Sequence, residues 1–157
     1  MMKVEYINPF VTASFKVLES CLDQKPTKGH LAMRPAVFTS QQCNIITGVA
    51  GMIEGQVIYG MSLVTADKIA SVMIGHPVRT FDQMAASAIA ELGNMITGNA
   101  MSLLAEVGYI CDITPPTIVR GTNIKLSTLS IPALVVPICL EQGEIEMTVC
   151  LRERIKQ

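Results

Sequence analysis

Residues 80–107, TFDQMAASAIAELGNMITGNAMSLLAEV, carry apolar side chains at helical spacing between two terminal signals. Thr80 with Gln83 three positions on fits a capping box, Asp82 stands where the helix dipole favours an anion, and Gly108 is placed to stop the helix. With Ser87 as origin and about 100° of turn per residue, Glu91 falls at about +40°, Asn94 at about −20° and Gly98 at about +20°. They form one polar stripe, with Ala90, Thr97 and Met101 around it. Ala85, Ile89, Leu92, Ile96 and Leu103 gather on the opposite side, the pattern of a face packed on a core.

A carboxylate and an amide on an outward face are most often simply solvated. This helix, however, places Gly93, Asn94, Gly98 and Asn99 within seven positions. Asn is a poor helix former, and each glycine costs about 1 kcal/mol against Ala in a helix interior. Something other than helix stability selects these residues, and small side chains leave room for a partner to approach closely.

The segment Ser87-Ala-Ile-Ala-Glu91-Leu-Gly-Asn94-Met-Ile-Thr-Gly-Asn-Ala resembles the signature helix of the CheC/CheX/FliY phosphatases of bacterial chemotaxis. That helix has Asp or Ser, then Glu four on, then Asn three further, and all three positions are filled here. Pro115 and Pro116 fall slightly ahead of the family's downstream proline. The glycine-punctuated stretch from Ile53 to Leu63 is similar to the strand before the family's first inter-sheet helix. The resemblance implies an α/β, CheC-like fold, with long helices packed on a mostly antiparallel β-sheet. Its single-site members resemble homodimers joined through the sheet, so a homodimer is the expectation.

At 157 residues the chain reads as one domain, 1–157, able to bury a core without disulfides or metals. No apolar run reaches the roughly eighteen residues of a membrane span, and no basic start followed by an apolar core marks a secretory signal. A cytoplasmic protein with no membrane insertion is expected. A net charge of −1 gives no basic footprint for nucleic acid. The five cysteines, Cys21, Cys43, Cys111, Cys139 and Cys150, are scattered without metal spacing and read as buried reduced thiols. His30 and His76 stand alone, and neither is assigned a role.

Along the chain, Asn8-Pro9 reads as a cap and first helical residue, with Val11, Phe15, Leu18 and Leu22 at helical spacing to about Gln24. Glu19 lies on this helix, but three residues later stands Leu22, so the Glu/Asn pair is expected on residues 80–107 alone. Strands are expected at Leu31–Phe38, Asn44–Val49 and Gln56–Val64, then a short helix Thr65–Ile74 capped by Thr65 and ended by Gly75. Tyr109–Val119 is read as extended around Pro115-Pro116. A hairpin of Ile131–Leu140 and Glu144–Arg152 is expected next, with the last strand partly exposed on one face. No internal repeat is apparent in the sequence.

The stripe has no Ser-His pair, no cysteine nucleophile, no metal cluster and no second carboxylate nearby in sequence. Covalent and metal mechanisms therefore lack their residues. An amide can still position water: Asn94 offers one acceptor and two donors, as a glutamine does in small GTPases. The resemblance implies that the electrophile is the phospho-aspartate of a CheY-type receiver domain, which supplies its own Mg²⁺; the chain needs no cofactor of its own. On this reading Asn94 orients the attacking water and Glu91 pairs with a receiver lysine, while Ser87, Gly98 and Met101 line the docking surface. Positioning alone supplies about a hundredfold, or about 2.7 kcal/mol of barrier. The alternative from another class is a non-catalytic, flagellar-switch-like interaction module. A third reading is a structural domain with an idle polar helix.

Overall fold

The structure is a computed structural model and describes residues 3–128 and 133–155. The long helix predicted over 80–107 is α3, Gln83–Glu106, unbroken through Gly93 and Gly98. Its cap is Asp82 rather than Thr80: Asp82 is extended and its Oδ1 accepts the Ala85 N–H at 2.9 Å, which makes Gln83 the first helical residue. At the other end Gly108 takes φ +96°, its N–H reaching Ala105 O while the Tyr109 N–H reaches Leu104 O. That pair of bonds is a Schellman stop, and it needs the glycine.

α1, Val4–Leu22, starts earlier than Asn8-Pro9 suggested. Tyr6 and Ile7 are buried, and seating them draws an extra turn onto the core ahead of Pro9. Pro9 lacks the N–H that would bond Glu5 O, so this turn is held by packing more than by its ladder. α2, Leu63–Ile74, is capped by Ser62, whose side chain accepts from Thr65 N, and ends at Gly75 in the left-handed region. Thr65 is thus inside the helix, not its cap.

The strands are β1 Thr27–Lys28, β2 Ala32–Arg34, β3 Val37–Thr39, β4 Cys43–Gly51, β5 Ile53–Met61, β6 Cys111–Ile113, β7 Thr117–Arg120, β8 Lys125–Ser127, β9 Ala133–Leu140 and β10 Gly143–Glu153. The stretch predicted as one strand over Leu31–Phe38 breaks in two at Pro35, and Leu63 and Val64 belong to α2. Tyr109–Val119 splits into β6 and β7 around the two prolines. The β9–β10 hairpin turns on Glu141 and Gln142; Ile131 and Pro132, expected to open its first strand, lie outside the described residues.

Eight strands form one sheet, in the order β1-β9-β10-β5-β4-β6, with β2 also on β9 and β7 also on β4. Every described pairing is antiparallel. The pairing exposes a repeat that the sequence hides. α1 followed by β1 to β5 has the same plan as α3 followed by β6 to β10, with α2 inserted between. Exchanging the halves turns β1 and β2 on β9 into β6 and β7 on β4, turns β4–β5 into β9–β10, and returns β5–β10 and β3–β8 to themselves.

The helices cover one face of the sheet, where Ile45, Tyr59, Met147 and Val149 meet Phe10, Leu18, Ile89 and Ile96 in one buried cluster. On the other face Thr148 and Cys150 are also buried, although the alternation of β10 suggested exposure there. Cys150 Sγ points to Thr128 O at 3.9 Å, just beyond β8, and Arg34 of β2 donates from Nη1 to Thr148 Oγ1 at 3.2 Å. Of the five cysteines only Cys43 and Cys150 are buried; Cys139 is exposed. Burial pushes the Cys43 thiol up to about 11.

Candidate active site

α3 presents its polar stripe outward. Ser87 and Glu91 are exposed, and Asn94, Gly98 and Met101 are partly so. On the opposite side Ala85, Ile89, Leu92, Ile96 and Leu104 are buried, with Leu104 taking the place expected of Leu103. Among the described residues Glu91 makes no ion pair or hydrogen bond, and the Asn94 amide has no hydrogen-bond partner. Asn99 differs: its Nδ2 donates to Met95 O at 2.8 Å, so its polar group is satisfied within the helix. Residues three apart on a helix are surface neighbours. One acid and one amide are therefore held side by side, both available to a second molecule.

The poor helix formers separate into two kinds. A Cβ on Gly93 would stand 2.6 Å from Ile45 Cγ2, so Gly93 lets α3 lie close on β4. A Cβ on Gly98 would meet nothing within 4 Å. Intramolecular packing explains Gly93 and leaves Gly98 to the outward face. Thr97, expected beside the stripe, instead turns inward and is fully buried. Its Oγ1 lies 2.7 Å from the Tyr59 hydroxyl on β5 and 3.0 Å from Thr47 Oγ1 on β4. Burial pushes the Tyr59 phenol well above its ordinary value, so it stays protonated, against the opposing pull of its bond to Thr97.

α1 carries a pair that the sequence reading missed. Because the helix begins at Val4, Glu5 and Asn8 lie on it at the same Glu-x-x-Asn spacing. Tyr6, Phe10, Ser14 and Leu18 are buried in step with Leu92, Ile96, Ala100 and Leu104 of α3, as the repeated plan requires. Reading Asn8 as a cap left Glu5 outside any helix; the spacing of Tyr6, Phe10 and Leu18 was the signal. The surroundings differ. The Tyr109 hydroxyl donates to Glu5 Oε1 at 2.6 Å, and Lys3 Nζ is 3.8 Å from the same oxygen. The carboxylate raises the Tyr109 phenol above its ordinary value and keeps that proton in place. Glu19 is exposed and Leu22 buried, so no pair forms at the far end of the helix. Among the described residues no group of three His, Cys, Asp or Glu side chains could hold a metal ion.

A model of the family described as chemotaxis phosphatase CheX matches residues 43–139, well over half the chain and the whole of α3. The chain belongs to that family. It is 32% identical over 131 residues to the CheY-P phosphatase CheX of Thermotoga maritima, covering 83% of this chain and 84% of that protein. A CheX from Borrelia burgdorferi, solved in a complex of CheX with CheY, BeF₃ and magnesium, matches with TM-score 0.83 and 33% identity over 96% of this chain and all of that one. A CheC-like protein from a Shewanella species matches with TM-score 0.87 over 96% of this chain and 99% of that one; at 24% identity it speaks for the fold alone. The CheC-like fold expected from the signature helix is the fold found. No helix of the described residues is long and apolar enough to cross a membrane.

Proposed function

We propose that the chain is a response-regulator phosphatase that hydrolyses the phospho-aspartate of a CheY-type receiver in chemotaxis signalling. The observation that carries this is the Glu91/Asn94 pair, exposed in mid-helix without an internal partner on the segment matched by the CheX family. The Asn94 amide enters the receiver's pocket and holds a water in line with the phosphorus, accepting one of its hydrogens. Glu91 pairs with a receiver lysine and sets the register. Ser87, Gly98 and Met101 form the surface on which the receiver seats, Gly98 permitting close approach. The magnesium belongs to the receiver, and the chain contributes position and charge. The complex solved for the Borrelia relative supports the choice of partner.

The reading includes a homodimer formed through the sheet, in a cytoplasmic protein. Leu31 and Met33, at the β2 edge, are 44% and 66% exposed, an apolar border of the kind a second copy covers. The test of function is the loss of phosphate from a phosphorylated receiver in magnesium, with and without the protein. Acceleration of at least about a hundredfold is expected from positioned water; an unchanged rate contradicts the proposal.

A further inference from the structure

Asn94 is flanked on α3 by two residues set against the sheet, Gly93 against Ile45 and Thr97 against Tyr59 and Thr47. The three hydroxyls are almost wholly buried, at 0% for Thr97, 0% for Thr47 and 1% for Tyr59. Their protons can be assigned by accounting. Val57 O can only accept, so Thr47 donates to it, at 3.3 Å. Thr97 then donates to Thr47 Oγ1, and Tyr59 donates to Thr97 Oγ1. The result is a one-way chain from β5 through α3 to β4 and back to the β5 backbone, with each hydroxyl proton used once.

Apolar packing is non-directional and leaves a helix some freedom to roll on a sheet. Hydrogen bonds are directional and remove that freedom. Side-chain tips stand about 5–6 Å from a helix axis, so about 10° of roll moves them by about 1 Å. A misplacement of that size can cost about a hundredfold in rate. We infer that the Tyr59–Thr97–Thr47 chain sets the roll of α3 and thereby aims Asn94, which makes Thr97 and Tyr59 positioning residues for the hydrolysis proposed above. The inference rests on that proposal.

The test compares Tyr59→Phe/Thr97→Val, Thr97→Ser and Asn94→Ala in steady-state turnover of a phosphorylated receiver, with thermal unfolding alongside. Removing Tyr59 and Thr97 hydroxyls together leaves no orphaned proton, and such paired replacement is close to neutral for stability. Expected for the double variant are a cooperative transition, a kcat lowered about tenfold and a KM within about twofold. Thr97→Ser keeps the hydroxyl and restores kcat to within about twofold of the parent. Tyr59→Phe alone, which leaves Thr97 bonded to Thr47, lowers kcat about threefold and serves as the milder variant should the double substitution not fold. An unchanged kcat in the folded variants, or a Thr97→Ser protein as slow as the double variant, overturns the inference. If Asn94→Ala abolishes turnover while the double variant keeps it, only the positioning role falls. If Asn94→Ala also keeps turnover, the proposed function falls with it.

Discussion

On α3, Glu91 and Asn94 stand in mid-helix with no partner among the described residues. On α1, Glu5 and Asn8 stand in the first two turns, where Glu5 takes a 2.6 Å hydrogen bond from Tyr109 and Lys3 lies 3.8 Å away. The two helices belong to equivalent halves of one sheet plan and bury the same phase of residues beneath each pair. The two pairs share their spacing and differ in what surrounds the acid. Glu5 already holds the Tyr109 hydroxyl and lies beside the Lys3 ammonium, partners that Glu91 lacks among the described residues, and an amide followed by Pro9 rather than Met95 sits on a turn with one ladder bond missing. Extra length also matters: α3 carries two turns ahead of Glu91, which lifts its pair away from the helix end.

This contrast can be broken most forcefully at the amides. Asn94→Ala is expected to reduce turnover of the phosphorylated receiver by about a hundredfold, whereas Asn8→Ala leaves it within about twofold. A large loss from Asn8→Ala would make the two halves functionally alike. The acids come next. Glu91→Ala is expected to weaken receiver affinity by about tenfold, since a partly desolvated charge pair is lost. Glu5→Ala leaves affinity unchanged in the same titration, because its contacts are internal.

A smaller effect sharpens the distinction between packing and docking on α3 itself. Gly93→Ala forces a methyl to 2.6 Å from Ile45 Cγ2 and is expected to cost about 1–3 kcal/mol in chemical denaturation. Gly98→Ala meets open space and is expected to stabilise the helix by up to about 1 kcal/mol while lowering receiver affinity a few-fold. Opposite signs of stability change at the two glycines are the outcome to look for. A destabilised Gly98→Ala protein would mean that this glycine also serves the chain's own fold.

What was legible in the sequence was local. The stripe of α3, the stops at Gly75 and Gly108, and the β9–β10 hairpin each follow from residues close in the chain. The start of α1 was not legible, because the preference of Pro9 for a first turn is local while the burial of Tyr6 and Ile7 is tertiary. β3 and β8 are three residues each and exist only through each other. Gly93 and Gly98 look alike in sequence and differ only in what stands opposite. Thr97 lies on the flank of the helix, where the angle permits either an outward or an inward role; the hydroxyls of Tyr59 and Thr47 decide it. The internal repeat survives in strand pairing and burial phase, which no single stretch displays.

In the proposed reaction Asn94 acts on water within a bound complex and not on binding. The direct measurement pairs two numbers for Asn94→Ala: its affinity for a receiver carrying a stable phosphoryl mimic, and its rate of phosphate release from the phosphorylated receiver with magnesium. Expected are an affinity within about threefold of the parent and release no faster than the receiver's own spontaneous rate. Release within about twofold of the parent, at undiminished affinity, would contradict it.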